Sequence, residues 1–155
     1  MATDPTTWKD IFTIGFAFVG AVLGIFNTSK NYLETRIKLR VKPAFAQAVG
    51  GGEPMVAIEV INLSRFSVTI TGAGFTIGNS TIDSGPRAEI AAPIIIDGCK
   101  WPRRLETGEA VSVYTQIARL HGNIGKAYAR TASEEVAYGT SPALEQIKEV
   151  INQKK

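Results

Sequence analysis

Between Ile11 and Phe26 the chain reads IFTIGFAFVGAVLGIF, sixteen positions without a charge. Ten of them are Ile, Leu, Val or Phe. An ordinary core helix keeps one polar face, and this run has none. Crossing the hydrocarbon layer takes about 20 apolar residues, within a range of roughly 17–25. The flanks extend the run, because Trp8 and Tyr32 suit the two interfacial belts and Lys9 can snorkel. From Trp8 to Thr28 such a helix is roughly 31 Å long. The pattern predicts a tail over 1–10, a transmembrane helix over 11–28 and a juxtamembrane linker over 29–35 that briefly continues the helix. A cleaved signal peptide fits less well: two aspartates precede the run, and Asn27-Thr28-Ser29-Lys30 offers no small-x-small cleavage site.

After the linker the period changes from helical to two. Ile37, Leu39 and Val41 alternate with Arg36, Lys38, Arg40 and Lys42, as in a half-buried strand. Further strand-like runs follow at 55–61, 66–77, 87–96, 109–116, 126–132 and 136–139, each bounded by turn residues. Gly72 and Gly74 predict a bulge or bend inside the third, and Pro93 marks the fourth as an edge or interrupted strand. Ser133-Glu134-Glu135 predicts a hairpin turn between the last two. About seven short strands in this length is the size and spacing of an immunoglobulin-like β-sandwich, here 36–140. The hallmark Cys…Trp…Cys pattern of antibody domains is missing.

The last segment, 141–155, returns to the helical period. Ser141 suits the N-cap and Pro142 the first helical position. Leu144, Ile147 and Ile151, with Ala143 and Val150, form one apolar stripe, and Lys154 and Lys155 sit at the negative end of the dipole. The stripe covers either the protein's own sandwich or a partner. The predicted fold class is therefore mainly β: an N-terminal transmembrane helix, an immunoglobulin-like sandwich and a C-terminal amphipathic helix.

Charge sets the orientation. Residues 28–42 carry Lys30, Arg36, Lys38, Arg40 and Lys42 against Glu34 alone, whereas from 43 onward eleven basic residues balance eleven acidic ones. Positive charge stays cytoplasmic, which predicts the N-terminus outside and the C-terminal domain in the cytosol, at an inner (cytoplasmic) membrane. The basic balance thus belongs to the juxtamembrane stretch and is no argument for nucleic acid. Cys99 is the only cysteine among 155 residues, which suits a reducing compartment.

Candidate chemistry is sparse. His121 is the only histidine, and no second metal ligand stands at a usable spacing. Cys99 lies beside Lys100 but has no histidine pattern around it. Gly50-Gly51-Gly52 is followed by Glu-Pro-Met and reads as a hairpin loop, not a phosphate cradle. Gly72 to Gly78 has the wrong spacing for a dinucleotide fingerprint. Asp83, Asp97, Glu106 and Glu109 read as solvated turn acids. No catalytic residue, cofactor or metal is predicted.

Two features stand above that background. Gly20 and Gly24 form a small-xxx-small pattern inside the span, with Ala17 and Ala21 on the neighbouring ridge; they are candidates for helix association and a homo-oligomer. Arg36, Lys38, Arg40 and Lys42, with Arg103 and Arg104 beside Trp101, are candidates for anionic lipid, each worth about 1 kcal/mol near such a leaflet. The same charges also keep an edge strand soluble.

The N-terminal span followed by Arg36-Ile37-Lys38-Leu39-Arg40-Val41 is one part of a resemblance. The others are the stretches Asn62 to Phe75, Trp101 to Glu109 and Ala127 to Ala132. Together they resemble a loose group of small bacterial and prophage-borne single-pass proteins with a cytosolic β-sandwich. The resemblance implies fold and anchor only.

These readings predict a non-catalytic interaction or adaptor module, held in the lipid bilayer and bound to a protein partner through loops, a sheet edge or the C-terminal helix. An oligomerising membrane effector, of toxin or phage-defence type, is the rival from another class. A periplasmic signal-anchored binding domain is the third reading.

Overall fold

The computed structural model describes residues 5–47, 51–78, 85–98, 100–120 and 123–153. Cys99, His121, Asp83, Gly50, Lys154 and Lys155 lie outside the described residues, as does the side chain of Tyr32. The chain divides into two compact units, Met1–Arg36 and Ile37–Lys155.

The first unit is one helix, α1, Pro5–Glu34, of 30 residues. It starts with proline at its first position, where the missing N–H costs nothing. It runs past the predicted boundary at residue 28, because nothing from Asn27 to Glu34 is a glycine or proline that would stop it.

The second unit is mainly β, with two sheets and a closing helix. One sheet has the order β1-β2-β6, from Leu39–Ala46, Met55–Asn62 and Ala110–Gln116. The other has the order β4-β3-β7-β8, from Arg87–Glu89, Val68–Ile77, Ile124–Thr131 and Val136–Gly139. A short β5, Arg103–Leu105, pairs with the opposite end of β3 from β4. All strand pairs are antiparallel. Two-residue periodicity turns Val56, Ile58, Val60, Val111 and Val113 of one sheet toward Val68, Ile70, Ala73, Phe75, Ala127 and Ala129 of the other; all are buried in one core.

The predicted alternation of the first strand holds. Val41 is buried, Ile37 and Leu39 are half-buried, and Arg36, Lys38, Arg40 and Lys42 are exposed. The strand begins later than predicted and continues through Pro43. A proline is tolerated there because β1 is an edge strand, and the Pro43 carbonyl turns away from β2 to accept a hydrogen bond from the Ser141 hydroxyl. Ser141, at the position before α2, thereby also ties that helix to β1. The predicted bulge is present as a register shift between Ile70 and Gly72, with a second between Phe75 and Ile77. The run 87–96 is interrupted as Pro93 predicted: β4 ends at Glu89, and a single bridge joins Ile94 to Tyr114. The β7–β8 hairpin also forms, with Glu134 at φ 65° in its turn.

The C-terminal helix α2, Pro142–Gln153, packs on its own domain. Leu144, Ile147 and Ile151 are buried in the core together with Ile117 of the 3-10 turn Ile117–Arg119. Gly139 lets β8 approach β1: a Cβ there would stand 1.8 Å from the Val41 carbonyl oxygen.

Candidate functional site

Three regions of the molecule carry unusual surface chemistry. The first is α1. Its segment Trp8–Lys30, 23 residues, is apolar and none of it is buried. Phe12, Phe16, Phe18, Leu23, Ile25 and Phe26 are all more than half exposed. Thr13 donates its hydroxyl to the Lys9 carbonyl and Thr28 to the Gly24 carbonyl, each at 2.8 Å. The one polar side chain of the apolar run is therefore satisfied inside the helix, as lipid requires. Gly20 and Gly24 lie on one open side, with no atom within 4 Å of where a Cβ would stand.

The second region is the basic set. Arg40 and Lys42 project from β1 and Lys38 stands just before it, and none of them pairs with a carboxylate among the described residues. Lys42 stands opposite Glu59 in the register and Arg40 opposite Ile61. Arg103 differs from the other candidates. Its side chain is only 17% exposed and bridges Asp97 at 3.0 Å and Glu109 at 2.7 Å. The Glu106 N–H and then Arg103 hold the Glu109 carboxyl below its ordinary value of 4.5. Arg103 is thus committed to a bridge within the domain. Arg104 is 69% exposed, near Glu106 at 3.3 Å, and donates to the Ser67 hydroxyl at 2.6 Å. The sequence offered Arg103 and Arg104 as a pair, but adjacent residues on a strand face opposite ways.

The third region was not singled out from the sequence. On the outer face of the larger sheet, β4, β7 and β8 bring Arg87, Tyr128 and Tyr138 together. The Arg87 guanidinium lies 5.8 Å from the Tyr128 ring centre and 5.6 Å from that of Tyr138, and donates to the Tyr138 hydroxyl at 2.6 Å. The rings are tilted to one another at 6.5 Å. Beside them Arg130 contacts both oxygens of Glu89 at 3.1 and 3.3 Å and reaches Glu134 at 3.6 Å. Gly72 and Gly74 leave the room for this. A Cβ on Gly72 would stand 2.7 Å from Glu89 Oε1, and one on Gly74 would stand 2.0 Å from the Ala88 carbonyl oxygen. Arg130 Nε is buried without a hydrogen-bond partner among the described residues. Burial first, and Glu89 second, push the Tyr128 phenol above its ordinary value of 10.0. The phenol therefore stays protonated at neutral pH, and the ring packs beneath Arg87 and beside Tyr138. Period two in β7 and β8 is the signal that puts Tyr128, Arg130 and Tyr138 on one face. The register that joins them to Arg87 is not in the sequence.

Neither a protein-family model nor a curated protein matches this chain.

A cavity of about 280 Å³ lies at one end of the sandwich, lined by Phe75, Ile77, Ile90, Leu120 and Ile124, with Glu89 and Arg119 among its polar groups. Among the described residues, no three His, Cys, Asp or Glu side chains stand close enough to hold a metal ion.

Proposed function

We propose that this protein is a single-pass membrane-anchored interaction module without catalytic activity. In this reading α1 crosses the inner membrane with its N-terminus outside, and the β domain works in the cytosol. The observation that carries it is the 23-residue apolar segment of α1 with no residue buried, joined to a unit whose core is complete without it. Eleven large apolar side chains between Trp8 and Phe26 stand exposed to whatever surrounds the helix. In water that is a large unfavourable surface; in hydrocarbon it is the surface the helix needs. The cations from Lys30 to Lys42 support the cytosolic side for the domain. The strand order supports an immunoglobulin-like sandwich: β2 beside β6, β3 beside β7, and β7 beside β8 follow the B–E, C–F and F–G neighbours of that fold.

The partner surface of this module is the outer face carrying Arg87 and Tyr138, which lie over the buried Tyr128. Tyrosine and arginine are enriched where proteins bind, since each offers a large area with few rotors or a planar set of donors. The C-terminal helix spends Leu144, Ile147 and Ile151 on the core of its own domain. Reporter fusions at the C-terminus, read together with extraction of membranes at alkaline pH, test the anchor and its orientation. A protein that stays in the membrane pellet with a cytosol-active reporter is the expected result. Release into the supernatant overturns the anchor, and a periplasm-active reporter overturns the orientation in favour of the signal-anchored binding domain.

A second reading, an oligomerising membrane effector, is favoured by the open positions of Gly20 and Gly24 on α1. Depolarisation of cells on induced expression would support it over the simple module.

A further inference from the structure

The turn after β2 is built inside out. Asn62 and Ser64 are buried at 0% and 1% exposure, whereas Leu63 and Phe66 are 43% and 38% exposed. Hydrogen bonds hold this inversion. The Asn62 side-chain amide donates to the carbonyls of Phe66 at 2.8 Å, Leu105 at 3.1 Å and Glu106 at 3.3 Å. Its side-chain oxygen accepts from the Ser64 N–H at 2.9 Å. The polar side chains thus take the interior and leave the apolar ones in front.

The turn is also tied to the residue that follows the anchor. Leu63 N–H donates to the Lys38 carbonyl at 2.8 Å, and the Lys38 N–H donates to the Ser64 hydroxyl at 2.8 Å. Lys38 is only four residues along the chain from Glu34, the end of α1. Four residues span at most about 14 Å when fully extended. Around the turn stand the exposed side chains of Lys38, Arg40 and Arg65, and Arg104 reaches Ser67 at its far end.

We propose that this turn is a second membrane contact, which places Leu63 and Phe66 in the interfacial layer of an anionic bilayer. Lys38 and Arg40 meet the lipid phosphates, while the apolar pair enters the boundary between headgroups and acyl chains, as interfacial anchors do. The contact fixes the height and tilt of the domain and points its opposite end, with the β1–β2 loop, away from the membrane. This inference rests on the reading of α1 as a span.

The test uses the full chain in a Cys99→Ser background, reconstituted into vesicles. A nitroxide is placed in turn at Arg65→Cys in the turn, at Ile14→Cys in the span and at Glu53→Cys in the β1–β2 loop. Each label is challenged with oxygen, which concentrates in lipid, and with a water-soluble nickel chelate. With a third of the lipid phosphatidylglycerol, labels 14 and 65 are expected to favour oxygen and label 53 the chelate. In pure phosphatidylcholine label 65 is expected to shift toward the chelate, and Leu63→Ser with Phe66→Ser shifts it fully while label 14 stays unchanged. Label 65 in water while label 14 is in lipid overturns the contact and leaves the span standing. Label 14 in water removes the span and the contact with it. Label 53 in lipid, or equal behaviour of label 65 in the two vesicle types, overturns the assignment to this end and to an anionic surface.

Discussion

Asn62 ties the turn after β2 to a segment more than 40 residues further along the chain. Its side chain serves carbonyls at Phe66, Leu105 and Glu106, and it is fully buried. Asn62→Ala leaves buried carbonyls without a donor and is expected to destabilise the domain by about 2–3 kcal/mol. Denaturant unfolding of the full chain in detergent micelles measures this. From the sequence Asn62 reads only as the residue that ends a strand. Two of its partners lie more than 40 residues away, and no local pattern reports such a distance. Arg103 illustrates the same limit: it looks like Arg104 in sequence, yet Asp97 and Glu109 claim it. Glu109 makes that bridge pH-dependent. Its folded carboxyl titrates below 4.5, so its contribution is fully present above that pH and is lost as pH falls through the lower folded value. The midpoint of acid unfolding is expected to rise in Glu109→Gln, with stability at pH 7 also reduced because Arg103 loses one of the two carboxylates that pair with it. A variant whose acid limb overlays that of the unaltered chain would place the acid sensitivity elsewhere.

Elements were legible where a period ran long enough to be counted. The sixteen-residue apolar run, the alternation of β1 and the stripe of α2 each yielded the right kind of element. β5 did not, because it is three residues long and contributes one buried side chain, Leu105. The stripe of α2 was visible, but what covers it was not; the answer lies in β1 and the 3-10 turn that come against it in the fold. Ile147 is completely buried there, and Ile147→Ala is expected to cost about 2–5 kcal/mol in the same unfolding assay. A cost below that range would mean the helix is dispensable to the core. For α1 the expectation concerns packing between copies. Ile at Gly20 and Gly24 adds apolar surface, so insertion survives. The same side chains hold two helix backbones apart, which weakens any association that depends on close approach. An in-membrane dimerisation reporter is expected to drop for the double-Ile variant and to hold for Ile11→Ala with Phe12→Ala. Equal signals for the unaltered span and the double-Ile variant would show that these glycines drive no association.

At the scale of the whole molecule, the sequence separates the apolar helix from the β domain because the two obey different periods and different charge balances. What it does not contain is the convergence of Arg87, Tyr128 and Tyr138, which arises only when β4 and β8 take their places on either side of the β3–β7 pair. The orientation of the molecule remains a matter of charge, and this can be put to a direct test. Lys30, Arg36, Lys38, Arg40 and Lys42 follow the apolar run closely enough to act as the topological signal, while only Lys9 precedes it on the other side. Lys38, Arg40 and Lys42 are exposed at and just before β1, so glutamine in their place leaves the domain core untouched. Replacing all five cations with Gln, and Asp4 and Asp10 with Lys, reverses the sign of the charge difference across the span. The C-terminal reporter is then expected to shift from wholly cytosol-active to a mixed or periplasm-active population, while the five Gln substitutions alone produce a smaller shift. If the reporter stays cytosol-active in the fully reversed chain, charge does not set the topology. The cytosolic placement would then have to come from folding of the β domain before its translocation, and the juxtamembrane cations would be free to serve the bilayer surface alone.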